Sequence, residues 1–103
     1  MPLAVTQRVE GDIGVLELSG TLTLGPSLAG LRSAARELID GNKLKGLVVH
    51  VGGLTQTDSS GLGELTVVYS MATKKGCSLR LKDVKPDLKR LLQMTHLDGV
   101  LGS

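Results

Sequence analysis

The chain reads as an α/β domain: a mostly parallel sheet of four to five strands, with an antiparallel N-terminal hairpin strand and helices packed on it. Three observations predict this. From residue 13 onward, segments of strand-like and helix-like periodicity alternate, which favours a parallel sheet. The run Leu47-Val48-Val49-His50-Val51 is nearly continuous in apolar residues, the pattern of a strand covered on both faces. Only Gly11-Asp12 separates the first two strands, and so short a connection forces them antiparallel.

In the first strand Leu3, Val5 and Val9 share one parity, with Thr6, Arg8 and Glu10 on the other, as in a half-buried strand. The second strand covers Ile13 to Leu18, and Ser19 to Gly25 reads as a connecting loop. Pro26 stands where a first helical position would be, because its missing N–H costs nothing there. Leu28, Leu31, Ala35, Leu38 and Ile39 follow at helical spacing, Arg32, Arg36, Glu37 and Asp40 take the other side, and Gly41 is a helix stop. The third strand is the apolar run 47–51. A second helix runs from about Leu62 to Lys75, with Leu62, Leu65, Tyr69 and Ala72 on its inner face and Val67, Val68 and Met71 widening it. Gly76 ends that helix, and Cys77, Leu79 and Leu81 alternate with Ser78, Arg80 and Lys82 as a fourth strand. Pro86 starts a third helix with Leu88, Leu91 and Leu92 inward, and His96 to Leu101 is a short last strand or a turn. Strand-helix-strand units are right-handed, and open sheets of this kind place their sites at the carboxyl ends of the strands.

One domain is what 103 residues allow, and the sequence divides no further: residues 1–103 form a single unit. With 41% apolar but only 1% aromatic residues, the core must be aliphatic. The absence of Trp and Phe removes the platforms on which bases stack, which argues against a nucleic-acid partner. A formal charge of +2 does not call for a polyanion either, although seven of the twelve basic residues fall between Lys74 and Arg90. That segment reads as a solvated face interrupted by Asp83 and Asp87. One cysteine excludes an internal disulfide, no stretch approaches the ~20 apolar residues of a membrane span, and no basic start precedes an apolar run. The expectation is a cytoplasmic protein without membrane insertion.

The stretch that carries function is Thr55-Gln56-Thr57-Asp58-Ser59-Ser60-Gly61-Leu62-Gly63. A strand feeding a loop that opens a helix puts Ser59 and Ser60 at the helix's positive end, where N–H groups lack intrahelical partners. Two glycines in a first helical turn each cost about 1 kcal/mol relative to Ala, so something must approach the backbone there. A neighbouring loop, a phosphate or a partner protein would each explain them. Ser59, Ser60 or Asp58 is also the residue that caps the helix.

Catalytic chemistry finds no support. Ser59 is not in a G-x-S-x-G context, and no base is placed beside it by sequence. His50 lies inside the apolar run and His96 beyond the third helix, so each reads as structural. There is no phosphate-binding G-x-x-x-x-G-K-[ST], no metal-ligand spacing and no cofactor signature. Cys77 has the parity of Leu79 and Leu81, the pattern of a buried, inert thiol.

The string Asp58-Ser59-Ser60-Gly61-Leu62-Gly63 after an apolar strand resembles the signature of the sulphate-transporter and anti-sigma-antagonist (STAS) domain, and more specifically the bacterial anti-sigma factor antagonists. Ser19-Gly20-Thr21-Leu22 resembles the family's loop after the second strand. Lys85 to Leu92 followed by Thr95-His96-Leu97-Asp98 resembles its last helix and turn.

The resemblance implies the STAS fold and a partner switch in which the protein is a substrate and not an enzyme. The unmodified protein binds an anti-sigma factor that is also a serine kinase, and thereby frees a sigma factor for transcription. The kinase phosphorylates Ser59 to end the interaction, and a phosphoserine phosphatase resets it. Asp58, Ser59, Ser60, Gly61, Leu62, Gly63 and Thr23 would form the partner-binding surface, the two glycines leaving room for the kinase's nucleotide to reach Ser59. Many antagonists carry an acidic residue where Thr23 stands here. The alternative is an accessory or scaffold STAS subunit of a signalling assembly or of a membrane transporter, and a nucleotide-binding domain is a weaker third.

Overall fold

The computed structural model describes residues 3–41 and 43–95, in the order β1 (Ala4–Glu10), β2 (Ile13–Leu22), α1 (Ser27–Asp40), β3 (Gly46–Thr57), α2 (Ser59–Lys74), β4 (Ser78–Lys82) and α3 (Pro86–Met94). The strands form one sheet in the order β1-β2-β3-β4, with β1 antiparallel to β2 and the other pairs parallel. The predicted fold class is therefore the observed one. A fifth strand within 96–101 lies outside the described residues. No helix among the described residues is long and apolar enough to cross a membrane.

Chain order equals strand order because each turn leaves a local solution. Gly11, at φ 65°, makes the tight link that lets Glu10 pair with Ile13. Gly76, at φ 75°, ends α2 in the left-handed conformation, and Cys77 N–H returns to Ala72 O at 2.8 Å.

Helices α1 and α2 cover one face of the sheet. Leu16, Leu18, Leu47, Val49, Val51, Leu79 and Leu81 point into that layer and meet Leu31, Ala35, Leu38 and Ile39 of α1 and Leu62, Leu65, Val68 and Ala72 of α2. Leu88 and Leu92 of α3 join the same core. Each fully buried Leu or Val contributes about 1.5–3 kcal/mol, so an aliphatic core suffices for a domain of this size.

The expectation that β3 is covered on both faces does not hold. Leu47, Val49 and Val51 are buried, but Val48 and His50 between them are only half-buried. The outer face instead carries polar pairs: Arg8 bridges Glu10 and Glu17, and His50 Nδ1 lies 3.2 Å from Asp83 Oδ2. On that face Arg8 stands opposite Val15, Val15 beside Val48 and Val48 beside Arg80 in the strand register, so apolar residues alternate with long polar ones. On edge strand β1, Val9 is 42% exposed despite its inward parity.

Strands β2 and β3 both run further than expected. Ser19 to Leu22 and Gly52 to Thr57 read as loop because Gly and small polar residues weaken strand propensity. They pair nonetheless, through two register shifts, between Glu17 and Ser19 and between Gly20 and Thr21. Such bulges break the period of two from which strands are read. A Cβ on Gly53 would lie 2.7 Å from Leu18 O, so only glycine lets the strands approach there.

Candidate functional site

The two extended strands end side by side, Leu22 opposite Thr57, and deliver the starts of α1 and α2 to the same edge of the sheet. Asp58, in extended conformation at φ −108°, is the N-cap of α2. Its carboxylate faces both ways. One oxygen accepts the Gly61 N–H at 2.8 Å, closing the first turn of α2, and the other accepts the Leu24 N–H at 3.1 Å in the loop that leads into α1. The Asp58 N–H in turn donates to Leu22 O at 3.3 Å. One residue thus ties the β2–α1 loop to α2. These donors, that of Gly61 foremost and then Leu24, hold the carboxyl below its ordinary value, so it is ionised across the physiological range.

Asp58 alone among the three candidate caps is therefore the cap. Ser59 occupies the first helical position, is exposed, and makes no side-chain hydrogen bond among the described residues. Ser60 is half-buried in the next position.

The two glycines separate cleanly. A Cβ on Gly61 would lie 2.0 Å from Leu22 O, so α2 starts against the backbone at the end of β2 and no side chain fits between them. The close approach that the sequence demanded is internal, to a neighbouring segment. The expectation that Gly61 makes room for an incoming nucleotide is corrected accordingly: Gly61 and Leu62 are both buried and present no surface. Gly63 is exposed, with open space where a Cβ would stand. The outward surface of the site is therefore Thr23, Leu24, Asp58, Ser59, Ser60 and Gly63, of which Leu24 is 77% exposed.

Sequence reasoning missed Leu24, which reads as an ordinary loop residue. It also missed Glu64, whose side chain is only 10% exposed and whose two oxygens take Arg32 of α1, Nε at 3.1 Å and Nη2 at 2.5 Å. The signal was available: Glu64 lies four residues before Val68, on the apolar stripe of a helix otherwise uncharged until Lys74. A bidentate pair of this kind fixes how α1 sits on α2.

Among the described residues no catalytic set gathers around Ser59. His50 lies on the outer face of β3, opposite to α2, and Cys77 is buried with its thiol directed at Leu44 O at 3.1 Å. Burial pushes that thiol's pKa up, away from the reactive thiolate. No group of three or more potential metal-binding side chains occurs among the described residues.

A family model described as "Mlab, STAS domain" matches residues 5–102. The chain is 29% identical over 101 residues to an anti-sigma F factor antagonist of Paenibacillus polymyxa, covering 98% of this chain and 86% of that one. Its fold is similar to that of a putative anti-sigma factor antagonist from Thermotoga maritima, with TM-score 0.83 at 14% identity, over 95% of this chain and 83% of the other. It is also similar to the Bacillus cell fate determinant SpoIIAA in the phosphorylated form, with TM-score 0.69 at 20% identity, over 97% and 89% of the two chains.

Proposed function

We propose that this chain, which belongs to the STAS domain family, acts as an anti-sigma factor antagonist whose binding is switched at Ser59. In the unmodified state it binds an anti-sigma factor that is also a serine kinase and so releases a sigma factor. Phosphorylation of Ser59 ends that binding, and a phosphatase restores it. The protein itself does no chemistry. The observation that carries this reading is the placement of Ser59, exposed and unbonded at the first turn of a helix whose start is held from both sides by Asp58.

The physics favours an effect at the interface over one on folding. A phosphate adds about −1.5 to −2 charge. A helix N-terminus tolerates it, but the Gly61 N–H here is already taken by Asp58. The phosphate therefore projects outward beside an ionised carboxylate, and a surface shaped for a neutral hydroxyl meets concentrated negative charge. Gly63 leaves the adjoining surface low enough for a kinase to approach.

The test is affinity capture from lysate of the native host with Ser59→Ala and Ser59→Asp as paired baits, read by mass spectrometry. A serine kinase retained by Ser59→Ala and lost with Ser59→Asp is the expected result. If both baits retain the same proteins, Ser59 is no switch, and an accessory subunit of a larger assembly takes this reading's place.

A further inference from the structure

A second surface adjoins the first on different elements. The C-terminal half of β3 and the inner side of α3 enclose an open groove of about 470 Å³. Its apolar lining is Val51, Leu54, Leu88, Leu91 and Met94, of which Leu91 is half-buried and Met94 is 71% exposed. Lys85 and Arg90 stand on the α3 side, with Asp87 between them in the first turn of the helix, where the dipole favours a carboxylate.

The charges decide what fits. Among the described residues Arg8, Arg32, Lys45 and Lys75 each lie within 4.0 Å of a carboxylate. Lys85 and Arg90 at the groove are not so paired, as Arg36, Lys74, Arg80 and Lys82 on other surfaces are not, and Lys85 donates to Leu54 O at 3.4 Å across the groove. An apolar trough whose rim carries two cations, Lys85 and Arg90, against one carboxylate, Asp87, is complementary to a segment with apolar residues on one side and carboxylates on the other. We propose that this groove docks an acidic amphipathic segment of a partner protein. Thr57, which lines one end, is two residues from Ser59, so such a segment would continue onto the surface around that serine. The groove does not depend on the modification of Ser59. The chain's own residues 96–103 are the competing occupant, but they contain a single acidic side chain, Asp98.

The test uses the full chain and a synthetic helical peptide of Glu and Leu with its leucines at i, i+3, i+4 and i+7 spacing, beside the same peptide with each Glu replaced by Lys. Binding is read by fluorescence anisotropy and by backbone amide shifts. The acidic peptide is expected to bind saturably and to shift Thr55 to Thr57 and Leu88 to Met94, more weakly as salt is raised. The double variant Lys85→Glu/Arg90→Glu, folded by circular dichroism, should bind about tenfold more weakly. Equal binding of the lysine peptide, shifts confined to other surfaces, or no binding at all would overturn the proposal. So would nuclear Overhauser contacts in the free protein between residues 96–103 and both Leu91 and Met94, since the chain would then fill its own groove.

Discussion

Helices α1 and α2 start at the same edge of the sheet, yet they are held there by different means. α1 begins at Pro26 with no side-chain cap; its first turn closes through backbone bonds alone, Leu28 N–H to Gly25 O at 3.3 Å and Ala29 N–H to Pro26 O at 3.2 Å. Its solvent face carries Arg32, Arg36, Glu37 and Asp40, as an ordinary surface helix does. α2 begins on a carboxylate that also grips the loop leading to α1, and it presses Gly61 against the backbone of β2. Its exposed positions up to Thr73 are uncharged: Ser59, Gly63, Ser70 and Thr73. Conformational constraint is concentrated where Ser59 stands, beside the Asp58 carboxylate, and the exposed positions of α2 beyond it carry no charge before Lys74.

Substitutions that exchange the properties of the two helix starts test this contrast. Gly61→Val should have the largest effect, because a Cβ at 2.0 Å from Leu22 O forces α2 off the sheet; a loss of about 3 kcal/mol or more in urea unfolding is expected. A stable Gly61→Val protein would mean that the packing of α2 on β2 is not what requires glycine.

Asp58→Ala comes next. It removes the acceptor for both Gly61 and Leu24, so the thermal midpoint should fall and hydrogen exchange should quicken in the β2–α1 loop as well as in α2. Because its folded pKa is depressed, the stabilisation from the Asp58 charge is fully present above the ordinary value of 3.8 and is lost as pH falls through the lower folded value. Asp58→Asn, which keeps an acceptor but no charge, should therefore be the less stable protein at neutral pH and converge with wild type in acid. Parallel stability curves across that window would remove the charge from the account.

Smaller still are the two glycines in open space. Gly63→Ala in α2 and Gly30→Ala in α1 should each stabilise by up to about 1 kcal/mol, since neither Cβ meets an obstacle. Only Gly63→Ala should slow phosphorylation of Ser59. Equal kinase rates for the two variants would dissolve the functional half of the contrast. Ser59→Ala should change stability by no more than about 0.5 kcal/mol, because its hydroxyl holds nothing in place.

How legible this was in the sequence differs between the two helix starts. Pro26, Gly41 and the spacing from Leu28 to Ile39 placed α1 almost residue for residue, because an ordinary helix is specified locally. α2 was legible in its consequence and not in its cause. Two glycines in one turn announced a close approach, but that the approaching group is Leu22 O depends on β2 and β3 running on past their bulges, which residues such as Gly20, Gly52 and Gly53 conceal. Asp58 could be named as a possible cap, whereas its second bond, to Leu24, joins residues 34 apart in the chain and leaves no local pattern. The outer face of the sheet differs from expectation for a related reason: Val48 extends an apolar run equally well whether its side of the strand is buried or half-buried.

The most direct test is calorimetric titration of the captured kinase with wild type and Ser59→Asp, run beside their thermal melts. Coincident melts with affinity reduced about 5- to 150-fold are what a switch on a rigid helix start predicts. Equal affinities, or a Ser59→Asp protein that has lost its fold, would contradict it.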